Sequence, residues 1–324
     1  MHHGPKLLIT RRWPEAVEAE LRRRFALHFE QDDRPLTTAE LRQAMLDHDI
    51  ICPTVSDRLD ATILSVPGRR VKMIANYGAG VDHIDLDAAA AAGLPVTNTP
   101  DVLTDATAEL ALTLMLMASR RASEGERELR AGGWQGWRPT HLMGRSLSGA
   151  TLGVIGFGRI GQATAERAAR AFDMKIVYHG RRRSDPAVEA RSAARYAASL
   201  DDLVGEADIV SLHCPGGMET RHLVDTALLR RMKPTAILIN TARGTVVNEA
   251  DLAHALGNGT IAAAGLDVYE GEPAVNPLLL ELPNAVLLPH LGSATVEART
   301  AMGMRVIANV DRFCSGQELL DRVC

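Results

Sequence analysis

The sequence predicts an α/β protein made of two doubly wound parallel-sheet domains. Three observations carry that expectation. Short β-branched or apolar runs alternate with Ala-, Leu- and Arg-rich helical stretches over almost the whole chain, the rhythm of parallel strands with covering helices. A glycine-rich turn stands mid-chain, directly after one such run. The length of 324 residues is also enough for two sizeable cores.

In chain order, "KLLIT" (6–10) predicts a first strand, followed by a helix near 14–25. "DIICP" (49–53), "KMIAN" (72–76) and "LPVTN" (94–98) predict three more strands of the same sheet. Residues 101–121, "DVLTDATAELALTLMLMASRR", form a strong helix candidate. Asp101 or Thr104 is placed to cap its start, and Arg120 and Arg121 suit its end. Its second half is apolar nearly all round, so the sequence predicts cover on several sides, between domains or between subunits. After "SLSGA" (146–150) a second α/β unit begins. Its strand signals are "TLGVIG" (151–156), "KIVYH" (175–179), "DIVSLH" (208–213), "AILIN" (236–240), "GLDV" (265–268) and "AVLLP" (285–289). The segment "EARTAMGMRVIANVDRFCSG" (297–316) reads as one amphipathic helix returning to the first domain. No repeat or low-complexity segment interrupts this order.

Composition excludes several classes. With 46% hydrophobic and 23% charged residues the chain is ordinary for a soluble globular protein. A net charge of -4 leaves no footprint for nucleic acid. Cys52, Cys214, Cys314 and Cys324 show neither CxxC nor His spacing, so reduced thiols and no metal site are expected. The opening residues lack the apolar core of a secretory leader. The most apolar segment, Leu110–Ala118, is about half a membrane span. A cytoplasmic protein without a membrane partner is the expectation.

Within "GVIGFGRIGQATAERAA" lies Gly156-x-Gly158-x-x-Gly161, with Phe157 between the first two glycines. The motif follows an apolar strand and opens an Ala-rich helix, the context that dinucleotide binding needs. Gly156 permits the tight turn, Gly158 lets the backbone approach a pyrophosphate, and Gly161 lets the helix pack close to the strand. The next strand runs into "HGRRRSD" (179–185). An NAD site places an Asp or Glu there, about 20 residues beyond the glycines, to accept the ribose hydroxyls. Asp173 lies at the other end of that strand. Gly180 leaves room, and Arg181 and Arg182 can grip a 2′-phosphate through charge-assisted bonds, which favours NADPH over NADH. A merely solvated arginine loop is the alternative.

Arg243, Asp267 and His290 fall at or just beyond the C-terminal ends of predicted strands, where open α/β sheets bind ligands. Each alone can be structural: a surface Arg, a helix-capping Asp, a satisfied His. Their shared placement suggests one site.

At these residues the chain resembles a known family. "TARGTVVNEADLAHAL", "AAAGLDVYEGEP" and "LLPHLGSAT" are similar to signature blocks of the D-isomer-specific 2-hydroxyacid dehydrogenases. "VTNTPDVLTDATAELALTLML" and "NYGAGVDHIDL" match in particular the glyoxylate/hydroxypyruvate reductase branch. The resemblance covers essentially the whole chain. It implies a Rossmann-type cofactor domain (about 101–286) inserted in a flavodoxin-like substrate domain (about 1–100 and 287–324). It also implies NADPH-dependent reduction of small 2-keto acids, glyoxylate or hydroxypyruvate, with a catalytic trio of Arg243, Glu272 and His290.

Chemistry supports those residue types. Hydride arriving at a 2-keto carbon leaves charge on the carbonyl oxygen, and His290 can donate a proton near neutral pH. Glu272 against the other ring nitrogen would fix the tautomer and favour the protonated form. Arg243 suits a planar carboxylate or the keto oxygen. The resemblance further implies that the N–H groups of Ala79 and Gly80 hold the substrate carboxylate. It places Asp267 on the nicotinamide amide, and Arg159 and Ile160 along the pyrophosphate. It also implies a homodimer, with helix 101–121 and the 131–138 arm at the interface. Trp137, or else Trp134, of "AGGWQGWRP" would then line the neighbour's pocket. Within the family, Glu272 disfavours a formate dehydrogenase, which carries Gln there. A 2-ketogluconate-type sugar-acid reductase has nearly the same blocks. A dinucleotide-sensing, corepressor-like binding protein is the rival from another class.

Overall fold

The computed structural model describes residues 4–29 and 32–324. The chain divides into two compact units, residues 1–103 with 293–324, and residues 104–292.

The first unit is built on five parallel strands: β1 (Lys6–Ile9), β2 (Ala26–Phe29), β3 (Ile50–Cys52), β4 (Met73–Ala75) and β5 (Val96–Thr97). Their order across the sheet is β2-β1-β3-β4-β5. Both faces of β1 are buried, as in a helix-covered parallel sheet. Leu7 and Ile9 enter one core with Val17, Leu21, Val306 and Val310, and Leu8 enters the other with Met45, Ile63 and Ile74. The C-terminal helix Val296–Cys314 returns here, capped by Thr295, whose hydroxyl accepts from Ala298 N at 3.0 Å. Strand β2 escaped the sequence reading. It follows the helix Glu15–Arg24 with only Phe25 between, and no Gly or Pro marks the join.

The second unit carries seven parallel strands in the order β12-β11-β10-β9-β6-β7-β8. These are β6 (Thr151–Ile155), β7 (Lys175–His179), β8 (Arg195–Tyr196), β9 (Ile209–Leu212), β10 (Ile237–Asn240), β11 (Ala263–Leu266) and β12 (Ala285–Leu287). The order steps outward from β6 in both directions, so β6 and β9 flank the switch point where such sheets bind ligands. The two-residue edge strand β8 is an addition to the six expected, hidden in the Ala-rich stretch "ARSAARYAAS".

The helix expected over 101–121 runs Thr104–Ser119. Asp101 lies three residues before its first turn, with φ 70°. Arg121 also leaves it, at φ 53°, and starts a second helix, Ala122–Arg130. Ala111, Leu114, Met115 and Ala118 are buried in its own unit beside Leu152, Ile237, Ile239 and Ala263. Within the helix only Asp105, Glu109, Thr113 and Leu116 are exposed. Much of its apolar surface is covered within this unit.

The boundaries also move. The return crossing lies at 292/293 rather than 286/287, because residues 288–292 stay bonded to β11 and the residue after it. Leu288 N donates to Leu266 O at 2.8 Å and His290 N to Asp267 O at 2.9 Å. The first crossing is at 103/104.

Candidate active site

Three elements of the second unit's sheet edge carry the polar residues. The first is the turn after β6. Gly156 takes φ 92°, and a Cβ there would stand 2.5 Å from Cys214 N and 2.6 Å from the carbonyl carbon of His213. A Cβ at Gly161 would lie within contact-forbidden distance of Gly156 O. Both glycines are demanded by the protein's own packing. Gly158 is not: a Cβ there meets nothing within 4 Å, and its φ of -81° suits any residue. A glycine that the chain does not need marks room kept for something else beside the helix Arg159–Phe172. The first-turn N–H groups of that helix, on Arg159 and Ile160, have no carbonyl to bind within it. Open space at a helix N-terminus fits a dinucleotide pyrophosphate. Phe157 closes the turn on its buried side, stacked on Tyr178 with centroids 4.0 Å apart.

The second element is the loop after β7. Arg181, Arg182 and Arg183 all follow Gly180, yet they differ. Arg183 grips Glu189 with both arms of its fork, Nε–Oε1 2.9 Å and Nη2–Oε2 2.9 Å. The Arg181 side chain is 85% exposed and reaches only Glu219, across 3.5 Å. Arg182 is exposed as well. No carboxylate stands at this strand end, and a Cβ at Gly180 would come no nearer than 3.6 Å to anything.

The third element gathers Arg243, Asp267, Glu272 and His290 around the ends of β10, β11 and β12. Arg243 follows β10 in a turn built by Asn240. The Asn240 Oδ1 accepts from Ala242 N at 3.0 Å and its Nδ2 donates to Arg243 O at 2.9 Å. Next in the chain, Gly244 lies flat against Tyr269; a Cβ there would sit 1.8 Å from the Tyr269 carbonyl carbon. That contact brings the Arg243 turn beside the loop of Glu272. His290 Nδ1 lies 2.8 Å from Glu272 Oε2, and Tyr269 N donates to Glu272 Oε1 at 2.9 Å. Burial alone would raise the Glu272 carboxyl, but the bond from His290, with the charges of His290 and Arg243, holds it below its ordinary value.

His290 itself sits at φ 54°, a left-handed conformation that a non-glycine residue holds only under constraint. Asp267 supplies the constraint. It is 1% exposed, and its two oxygens accept from Leu291 N at 2.7 Å and Gly292 N at 2.8 Å. Burial raises the Asp267 carboxyl against the opposing pull of these bonds and of His290. The sequence reading aimed Asp267 at a ligand and missed this clasp on the His290 turn. It also missed Asn240 and Gly244, whose roles exist only through contacts that no local pattern announces.

The first unit contributes a separate feature, the turn Tyr77–Gly80. Asn76 Nδ2 donates to Gly78 O at 3.0 Å and Gly80 O at 2.9 Å, and Asn98 Nδ2 to Ala79 O at 2.7 Å. These bonds engage three carbonyls of the turn. Asn76 and Asn98 were not singled out from sequence.

Trp137 is not among these groups. It is 83% exposed on the arm after the helix Ala122–Arg130, where Trp134 is exposed too, as are Leu129 within that helix and Met143 beyond the arm. Among the described residues, no group of three or more His, Cys, Asp or Glu could hold a metal ion. No described helix is long and apolar enough to cross a membrane.

Comparison with known proteins gives the same picture. Residues 112–292 match the model of the D-isomer specific 2-hydroxyacid dehydrogenase NAD binding domain. A glyoxylate reductase of Thermococcus litoralis is 43% identical over 317 residues, covering 97% of this chain and 95% of that protein. A glycerate dehydrogenase of Hyphomicrobium methylovorum is 38% identical over 314 residues, 97% of each chain. Among solved structures, an NADPH-dependent glyoxylate/hydroxypyruvate reductase of Sinorhizobium meliloti, with NADP and malonate, superposes with a TM-score of 0.85. It is 36% identical, over 99% of this chain and 97% of that one. The motif blocks, the paired parallel sheets and these whole-length similarities converge: the chain belongs to the D-isomer-specific 2-hydroxyacid dehydrogenase family, an oxidoreductase of its glyoxylate reductase branch.

Proposed function

We propose that the protein reduces small 2-keto acids, glyoxylate and hydroxypyruvate, to D-2-hydroxy acids and prefers NADPH to NADH. The observation that carries the reading is the His290–Glu272 pair at 2.8 Å, on a turn that Asp267 holds in place. With Nδ1 engaged by Glu272, Nε2 is the nitrogen from which His290 donates a proton to the keto oxygen. The bound nicotinamide supplies the hydride. Arg243, held by Asn240, takes the substrate carboxylate or keto oxygen, and the Ala79 and Gly80 N–H groups take the carboxylate. Arg159, Ile160 and the open side of Gly158 receive the pyrophosphate. Arg181 and Arg182 receive the 2′-phosphate. The Sinorhizobium relative, 36% identical and NADPH-dependent, supports the cofactor choice. The exposed Leu129, Trp134, Trp137 and Met143 support a homodimer in which this arm packs on a second copy.

The test is initial-rate kinetics on glyoxylate, hydroxypyruvate, bulkier keto acids and 2-ketogluconate, each with NADPH and NADH. The highest kcat/KM is expected for glyoxylate or hydroxypyruvate with NADPH. A higher value for 2-ketogluconate makes the protein a sugar-acid reductase. No turnover of any keto acid, with dinucleotide still bound, makes it a sensor.

A further inference from the structure

We propose that Arg183 is the anchor of the arginine loop rather than a third phosphate ligand, and that Glu189 is a positioning residue for dinucleotide selectivity. This rests on the reading of Arg181 and Arg182 as the 2′-phosphate ligands.

The argument begins in the buried strand. Tyr178, near the end of β7, is fully buried and stacks on Phe157 of the glycine turn. Its hydroxyl donates to Glu189 Oε1 at 2.6 Å and accepts from Ser184 N at 2.8 Å. Glu189 is 8% exposed and also receives the Arg183 fork. Its carboxyl is pulled down to about 2, chiefly by the bond from Arg183 and then by that from Tyr178. Glu189 cannot drift, because the short helix Pro186–Ala190 is fixed at both ends. Asp185 caps it, accepting from Ala187 N at 2.8 Å, and just beyond it Arg191 pairs with Glu166 at 2.7 Å. Glu166 belongs to the helix Arg159–Phe172 that opens at the phosphate turn.

Residues 180–182 are therefore pinned on one side by β7 and on the other by Arg183 and Ser184, whose partners trace back to Tyr178. A loop held at both ends presents Arg181 and Arg182 at lower entropic cost than a free one. An Arg183 whose fork is fully engaged by a carboxylate has little left to give a phosphate.

The two roles for Arg183 predict opposite signs. If it is a phosphate ligand, Glu189→Gln frees it and removes a nearby negative charge, so NADPH binds more tightly. If it is the anchor, Glu189→Gln loosens the loop. The Arg183 side chain is 64% exposed, so the anchor should be worth about two- to fivefold in the KM for NADPH, the range of exposed ion pairs. The kcat and the KM for NADH should move less. Arg183→Ala with Glu189→Gln should be no worse than Arg183→Ala alone, since both remove one interaction. A fall or no change in the KM for NADPH on Glu189→Gln overturns the proposal. Amide exchange at Ser184, followed without dinucleotide, separates this from the cofactor reading. Equal use of NADPH and NADH by the unaltered enzyme refutes the phosphate role of Arg181 and Arg182. Unaccelerated Ser184 exchange in Glu189→Gln refutes the anchor by itself.

Discussion

The His290 cluster and the arginine loop stand on the same edge of one sheet, yet they are held by different means. Around His290, apart from the side-chain pair with Glu272, the positioning contacts are hydrogen bonds to backbone or close backbone approaches: Asp267 to Leu291 and Gly292, Asn240 to Ala242 and Arg243, Gly244 against Tyr269. At the arginine loop the side chains that would meet ligand are exposed, and the loop behind them is tethered by the partly exposed Arg183–Glu189 pair and the Ser184–Tyr178 bond. Proton delivery needs atoms fixed to a few tenths of an ångström before the substrate arrives. Gripping a doubly charged phosphate needs only charge within reach. Rigid, desolvated support belongs to the first task, and screened, adaptable support suffices for the second.

The largest expected effect attacks the rigid region at its centre. His290→Ala should lower kcat about 10²–10⁴-fold while NADPH still binds, as read by fluorescence titration. A loss below tenfold would mean that another group donates the proton. Next comes the backbone support. Gly244→Ala should cost about 3 kcal/mol or more, because the new methyl has no room beside Tyr269, whereas Gly180→Ala in the loop should leave Tm nearly unchanged. Equal stabilities for the two variants would erase the contrast between the regions.

The loop itself is third. Arg181→Ala should raise the KM for NADPH about tenfold, one charge-assisted bond, with NADH little affected. Raising ionic strength toward 1 M should shrink the NADPH preference of the unaltered enzyme, since such charges are screened, but leave turnover at saturation intact. A salt-insensitive preference would mean that the phosphate is held elsewhere. The smallest effect is on pH. Against the upward push of burial, the bond from His290 holds the Glu272 carboxyl below its ordinary value, so the stability it contributes is present above the ordinary carboxylate range and is lost as pH falls through the lowered one. Glu272→Gln should therefore flatten the loss of Tm at acid pH. An unchanged acid limb in that variant would mean that Glu272 is not held by this pair.

What was legible in the sequence follows the same division. Strands β6, β7, β9, β10, β11 and β12 were readable because buried parallel strands are continuous β-branched or apolar runs. Strand β8 was not, because an edge strand of two residues in an alanine-rich stretch has no such signature. The glycine turn and the arginines announce themselves by composition. Glu272 was reached only through family resemblance, since its partner lies 18 residues away and on another loop. Asn76, Asn98, Asn240 and Glu189 stayed hidden for the same reason: each acts by bonding to a group that only the fold brings near. The helix Thr104–Ser119 was legible as a buried one. Its apolarity is met in part by the seven-stranded sheet of its own unit, where Ala111, Leu114, Met115 and Ala118 are buried.

One glycine has a consequence for lineages rather than for mechanics. Selection for a foldable chain acts on Gly156 and Gly161, where any side chain collides with the protein itself. At Gly158 a methyl group collides with nothing the chain owns, so on the proposed reading the ligand polices that position. A descendant released from binding its dinucleotide would keep the outer two glycines and let the middle one drift. Among relatives whose activity has lapsed, the residue found at this single position should therefore record whether the ligand was lost or merely the chemistry.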